Sequence, residues 1–115
     1  MMNFTLIVCT YMRPKPLLKL LESVVKQTLY PNEILIIDAS LNNETEVVLS
    51  KNSFKNLKYF KVDKEYRGLT KQRNYGINLV DEASKIICFL DDDIVLKANY
   101  FEELLKTYNG NKNAL

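Results

Sequence analysis

The sequence predicts an α/β fold: three layers, α/β/α, around a mainly parallel, Rossmann-like sheet. Three observations predict it. Apolar runs of strand length alternate with helical patterns in the order β, α, β, α, β, α, β, α, the signature of successive βαβ units. Phe4 to Thr10 and Glu33 to Asp38 are nearly continuous apolar runs, as strands covered on both faces are. Polar clusters follow the strands, and the crevice beyond the carboxyl ends is where open α/β sheets bind ligands.

The elements follow in order. After the first strand, Leu17, Leu18, Leu21, Val24 and Val25 recur at helical spacing, with Pro14 and Pro16 placed where only a first turn accepts them. After the second strand, Asn43 followed by Glu46 resembles a capping box that opens a short helix through about Ser50. Leu57 to Val62 reads as the third strand and about Thr70 to Ala83 as the third helix. The fourth strand, Ile86 to Leu90, runs directly into Asp91-Asp92-Asp93. Asn99 with Glu102, the stripe Tyr100, Phe101, Leu104, Leu105 and Tyr108, and Gly110 beyond it signal both ends of a terminal helix.

At 115 residues the chain suits one core rather than two, so residues 1–115 form one domain or a piece of one. Sixteen basic and fourteen acidic residues give a net charge of +2, too little to select nucleic acid or a membrane surface. No apolar stretch approaches the roughly 20 residues that span a bilayer. The run Phe4 to Cys9 lacks the basic leader and small-residue cleavage site of a signal peptide. Cys9 and Cys88 sit inside strands, where buried free thiols are the ordinary reading, and this favours a reducing, cytoplasmic compartment. With no histidine, Ser-His-Asp and Cys-His nucleophiles and the common zinc sites are excluded. Carboxylates, a metal and basic side chains must carry any chemistry.

Three adjacent carboxylates repel one another unless a cation holds them. If the backbone stays extended, Asp91 and Asp93 project to one side about 6.6 Å apart at Cα, with Asp92 on the other. Such a pair suits Mg²⁺, Mn²⁺ or Ca²⁺, and Mg²⁺-type ions complete their shells with water and substrate phosphate. The plainer reading is an acidic turn that caps the next segment. Asp38, ending an apolar run, either meets a base N–H or ribose hydroxyl or caps its own turn. Arg73, near a helix start, suits a phosphate better than a structural partner. Gly76 in mid-helix points to close approach of a ligand or backbone, or to a tolerated packing glycine. No Walker-type loop or dinucleotide fingerprint is present, so a diphosphate would need metal and arginine. Lys51, Lys55, Lys58, Lys61 and Lys64, interleaved with aromatics, fit a solvated face rather than a nucleic-acid surface.

Val8-Cys9-Thr10-Tyr11-Met12-Arg13-Pro14, Leu20-Leu21-Glu22-Ser23-Val24, Gln27-Thr28, Ile36-Ile37-Asp38-Ala39-Ser40, Arg73-Asn74-Tyr75-Gly76 and Phe89-Leu90-Asp91-Asp92-Asp93 together resemble the N-terminal half of family-2 glycosyltransferases. The resemblance covers essentially the whole chain, in the family's order and spacing. It implies the nucleotide-diphosphosugar transferase fold called GT-A, here truncated. It implies transfer of a sugar, with inversion, from a nucleotide-diphosphosugar (a UDP-sugar favoured) to an unknown sugar, lipid or polysaccharide acceptor. Thr10, Tyr11 and Arg13 would line the nucleotide pocket, Asp38 would bind the base edge and Arg73 would approach the diphosphate. Asp91, Asp92 and Asp93 would contact the donor, with Asp91 and Asp93 holding Mn²⁺ or Mg²⁺. Ala39 departs from relatives with a second acidic or amide residue there.

The chain stops just after the helix that follows the aspartates, so the acceptor half and its general base are expected to lie outside it. An isolated chain of this kind is expected to transfer essentially no sugar and to expose an apolar edge that promotes self-association. Its expected location is cytoplasmic, free or peripheral to the inner face of a membrane. Two rival readings are a sugar-phosphate nucleotidyltransferase, which normally brings a glycine-rich loop absent from Thr10 to Pro16, and a non-catalytic interaction or metal-binding domain.

Overall fold

The computed structural model describes residues 3–110. Four parallel strands, β1 (Phe4–Thr10), β2 (Glu33–Asp38), β3 (Leu57–Lys61) and β4 (Ile86–Leu90), stand in the order β3-β2-β1-β4. β1 lies opposite β2 from Thr5↔Glu33 to Thr10↔Asp38, and opposite β4 from Phe4↔Ile86 to Val8↔Leu90. The sheet therefore runs outward in one direction from β1 to β3 and in the other from β1 to β4. That reversal is the topological switch point at which doubly wound sheets open a crevice.

Side-chain alternation along the strands builds a core on each face. Phe4, Leu6 and Val8 of β1 point to one face, where α1 (Pro14–Val25), α2 (Glu44–Ser50) and α4 (Tyr100–Gly110) cover them with Leu17, Leu20, Leu21, Leu49, Phe101 and Leu105. Phe4 and Phe101 pack with ring centroids 5.1 Å apart. Ile7, Leu35, Ile37 and Ala39 point to the other face, which carries α3 (Leu69–Ile77). α3 comes close because of Gly76: a Cβ there would lie 3.0 Å from Ile7 Cγ2 and 3.3 Å from Ile37 Cγ1. Of the two explanations for a mid-helix glycine, backbone packing against the sheet is the one realised.

Every expected strand and helix forms, with differences that have physical causes. The buried stripe of α1 is Leu17, Leu20, Leu21 and Val24, while Val25 is exposed. α2 lacks the capping box: Asn43 makes no side-chain cap, and Asn42 Oδ1 instead accepts from the Glu44 N–H at 3.1 Å. α3 stops at Ile77 rather than near Ala83. The buried Glu33 carboxylate accepts from the Asp81 N–H at 3.0 Å and from Thr5 Oγ1 at 2.9 Å, drawing the chain back to the sheet before another turn can form. α4 runs through Gly110 instead of stopping short of it. Among the described residues, no helix is long and apolar enough to cross a membrane.

Candidate donor-binding cleft

The register brings the site together. Val8 lies opposite Leu90, so two residues further on Thr10 and Asp92 meet at the same height. Thr10 Oγ1 donates to Asp92 Oδ2 at 2.8 Å, and both residues are buried. A cleft of about 550 Å³ opens beside this bond, lined among others by Thr10, Tyr11, Arg13, Arg67, Arg73 and the three aspartates.

The acidic run does not continue as a strand. β4 ends at Leu90, and the chain turns at Asp92 and Asp93, so alternation along an extended backbone is not what orients the carboxylates. The turn nevertheless leaves Asp91 and Asp93 exposed and Asp92 inside. Arg13 reaches across from the β1 loop, with Nη1 3.4 Å from Asp92 Oδ1 and 3.3 Å from Asp93 Oδ2. Asp92 is thus the anchor of the turn, and Asp91 and Asp93 are its accessible acids. Among the described residues, no group of three or more acidic or thiol side chains is gathered for a metal ion. Two hard carboxylate donors do suit a cation of the Mg²⁺ type that shares its shell with water and a diphosphate.

Cations line the opposite wall. Arg73, in α3, holds its guanidinium carbon 5.1 Å from the centre of the Phe89 ring. Arg67, just before α3, lies 5.6 Å over the exposed Tyr11 ring and donates through Nε to the Ala39 carbonyl at 3.2 Å. Cys9, in β1, lines the floor of the cleft; burial pushes its thiol up to about 11, with Arg73 pulling down and Asp92 pushing up by less.

Two members of the site carry no clear signal in the sequence. Gln72 is buried, its Nε2 donating to the carbonyls of Thr10 (3.1 Å) and Ile37 (2.9 Å) while Oε1 accepts from the Gly68 N–H (3.1 Å). One side chain therefore pins α3 to the carboxyl ends of two strands. Gly68 itself sits at φ +121°, a conformation open to glycine. Arg67 is the second; only its place next to Gly68, at the entrance to the helix, could have drawn attention to it.

Asp38 caps its own turn, one of the two readings its place at the end of an apolar run allowed. It is fully buried and does not line the cleft. Its Oδ1 accepts from the Ser40 N–H (2.9 Å) and Oγ (2.5 Å), and its Oδ2 from the Tyr59 hydroxyl (2.6 Å). Both oxygens are turned inward because β2 is covered on both sides and these donors satisfy the carboxylate there. Ser40 Oγ also accepts from the Met12 N–H at 2.8 Å, and Met12 has φ 57°, uncommon for a residue with a side chain. Asp38 therefore supports the shape of the Tyr11-Met12-Arg13 loop from behind.

The arrangement of sheet and helices is that of GT-A type structures. The chain superposes on Staphylococcus aureus TarS, solved as residues 1-349 in complex with UDP-GlcNAc, with a TM-score of 0.79 and 24% identity, covering 96% of this chain and 32% of that one. A 4-diphosphocytidyl-2C-methyl-D-erythritol synthase from Anaerococcus prevotii is more distant, with a TM-score of 0.66 and 15% identity over 97% of this chain and 52% of that one. The chain belongs to glycosyl transferase family 2, whose family model matches residues 5–115. Among curated proteins it is 27% identical to the O-antigen chain rhamnosyltransferase RfbN of Salmonella typhimurium, over 90% of this chain and 32% of the relative. It is 28% identical to a glucosyl-dolichyl phosphate glucuronosyltransferase of Haloferax volcanii, over 99% of this chain and 36% of the relative. The chain thus spans about a third of the length of the curated relatives it matches.

Proposed function

We propose that this chain binds the donor in a metal-dependent glycosyltransferase that moves a sugar, with inversion, from a nucleotide-diphosphosugar to an acceptor. The observation that carries the reading is the cleft at the switch point, where Thr10, Tyr11, Arg13, Arg73 and Asp91 to Asp93 converge in a chain of family 2.

The roles follow from chemistry. Arg73, with the first N–H groups of α3 behind it, offers positive charge to the diphosphate. The exposed Tyr11 ring offers a flat face to the base. Asp92, held by Thr10, fixes the turn that presents Asp91 and Asp93, and these two would hold Mn²⁺ or Mg²⁺ jointly with the phosphates. When bound, that ion supplies counter-charge for the departing nucleoside diphosphate. Arg13 bridges Asp92 and Asp93, so it is poised to swing to a phosphate oxygen once a cation takes over their neutralisation. Asp38 has no direct part in this reading.

A UDP-sugar is the first donor to test, since the TarS structures were solved with UDP and with UDP-GlcNAc. The two curated relatives transfer different sugars by name, so the sugar and acceptor are left open. The free thiols Cys9 and Cys88 support a reducing, cytoplasmic setting. Calorimetric titration is the test. UDP should bind more tightly with Mn²⁺, and the double substitution Asp91→Ala, Asp93→Ala should abolish that gain while leaving metal-free binding. Equal affinity with and without metal would remove the metal from the reading, and preference for a nucleoside triphosphate with a sugar phosphate would favour nucleotidyl transfer.

A further inference from the structure

We propose that Arg67 selects the base of the donor, by donating from its Nη groups to a keto oxygen of a base lying on the Tyr11 ring. The inference rests on the donor-binding reading and adds to it the group that reads the base, a role that Asp38 does not fill. Both carboxylate oxygens of Asp38 are occupied by Ser40 and Tyr59, and the residue does not line the cleft. The other polar side chains of the cleft are largely committed. Gln72 holds backbone groups with both ends of its amide, Thr10 holds Asp92, and Arg13 bridges Asp92 and Asp93. Arg73 lies over Phe89 of β4, the strand that leads into the aspartates, which suits it to the diphosphate.

Arg67 differs from these. Its Nε donates to the Ala39 carbonyl at 3.2 Å, and its guanidinium carbon is 5.6 Å from the centre of the Tyr11 ring. It belongs to no ion pair among the described residues, and the bond to Ala39 leaves both Nη groups without a hydrogen-bond partner there. At 5.6 Å the guanidinium stands farther off than the roughly 3.5–4.0 Å of full stacking contact, and Tyr11 is 41% exposed. Part of the ring face is therefore open to the cleft, with donors along its rim. A flat base laid on that face meets those donors edge-on. A guanidinium carries N–H donors and no acceptor, so it favours a base edge that presents a keto oxygen, as uracil does, and opposes one that presents an amine, as adenine does. The anchor on Ala39 fixes the fork in place, so little freedom is lost when the Nη groups bond.

Calorimetric titration of the 115-residue chain with UDP, ADP and inorganic pyrophosphate, each with Mn²⁺, tests this. Arg67→Met keeps an unbranched stem without donors and is expected to weaken UDP about tenfold, with ADP and pyrophosphate little changed, so the preference for UDP over ADP falls by the same factor. Arg67→Lys keeps the charge but not the fork, and is expected to lose that preference while binding pyrophosphate as the parent chain does. Circular dichroism checks that both variants remain folded. Equal losses for UDP and pyrophosphate in Arg67→Met would make Arg67 an ordinary cation of the cleft and overturn the assignment. An unchanged preference for UDP in both variants overturns it as well. A parent chain that binds pyrophosphate and Mn²⁺ but shows no preference among bases overturns this assignment alone, whereas one that binds none of the three overturns the donor-binding reading and this assignment with it.

Discussion

Thr10 and Asp92 are joined by a buried hydrogen bond of 2.8 Å that ties the end of β1 to the turn after β4. Arg13 reaches the same carboxylate from outside, but its side chain is 54% exposed. The two contacts should therefore separate stability from binding. Thr10→Val strips a donor from a buried carboxylate oxygen and is expected to cost about 1–3 kcal/mol. Arg13→Ala removes a solvent-screened ion pair and is expected to cost about 0–1 kcal/mol, while weakening donor binding through lost charge at the cleft. Urea unfolding of both variants, beside calorimetry with UDP and Mn²⁺, checks the contrast; equal stability losses would contradict it.

Asp38→Ala should act on the fold first. It leaves the Tyr59 hydroxyl and the Ser40 N–H without their carboxylate partner, an expected loss of about 1–3 kcal/mol. Its effect on donor affinity should be smaller than that of Arg73→Ala, which removes a charge from the wall of the cleft itself. A thermal melt and a UDP titration of each variant measure this. A folded Asp38→Ala chain of unchanged stability but lost affinity would return Asp38 to the base-binding role.

The alternation of apolar strands and helices was legible because it is local: each strand and helix carries its own period, and the parallel order follows from the crossovers. The cleft was legible wherever charge stood where solvation alone explains it poorly, as at Asp91 to Asp93 and Arg73. What stayed hidden depends on partners distant in sequence. The local bond from Ser40 to Asp38 was one of the two readings its position allowed; what could not be foreseen is Tyr59, which folding brings to the other carboxylate oxygen. Gln72 looks like its neighbour Lys71 until the carbonyls of Thr10 and Ile37 arrive beside it. The end of α3 is set by Glu33, 48 residues before Asp81.

Gly76 sets how closely α3 approaches the sheet. A single Cβ already falls 3.0 Å from Ile7 Cγ2 and 3.2 Å from Ile7 Cδ1, so a β-branched side chain must push the helix away or displace Ile7. Gly76→Val is expected to cost about 1–3 kcal/mol by overpacking. Gly76→Ala should fall near neutral, because about 1 kcal/mol of helix propensity offsets a smaller shift of Ile7. Chemical denaturation of both decides it, and a Val variant as stable as the parent would show that α3 can move outward freely.

Alkaline pH should unfold this chain through its buried acids. Burial pushes the Cys88 thiol from the ordinary 9.0 to about 11, and Cys9 rises to about 11 chiefly for the same reason. Burial, followed by the hydrogen bond to Asp38, pushes the Tyr59 hydroxyl up as well. In each case the fold favours the neutral, protonated form, so over this range the unfolded chain binds fewer protons than the folded one. Stability from the two thiols is then fully present below pH 9.0 and is lost as pH rises through about 11, while the contribution of Tyr59 begins to fall only above its ordinary 10.0. The urea midpoint is expected to fall steadily across that window, and Cys88→Ala should make the fall shallower by removing one of the contributing groups. A midpoint that holds constant up to pH 11 would mean that the thiols ionise in the folded chain as readily as in the unfolded one.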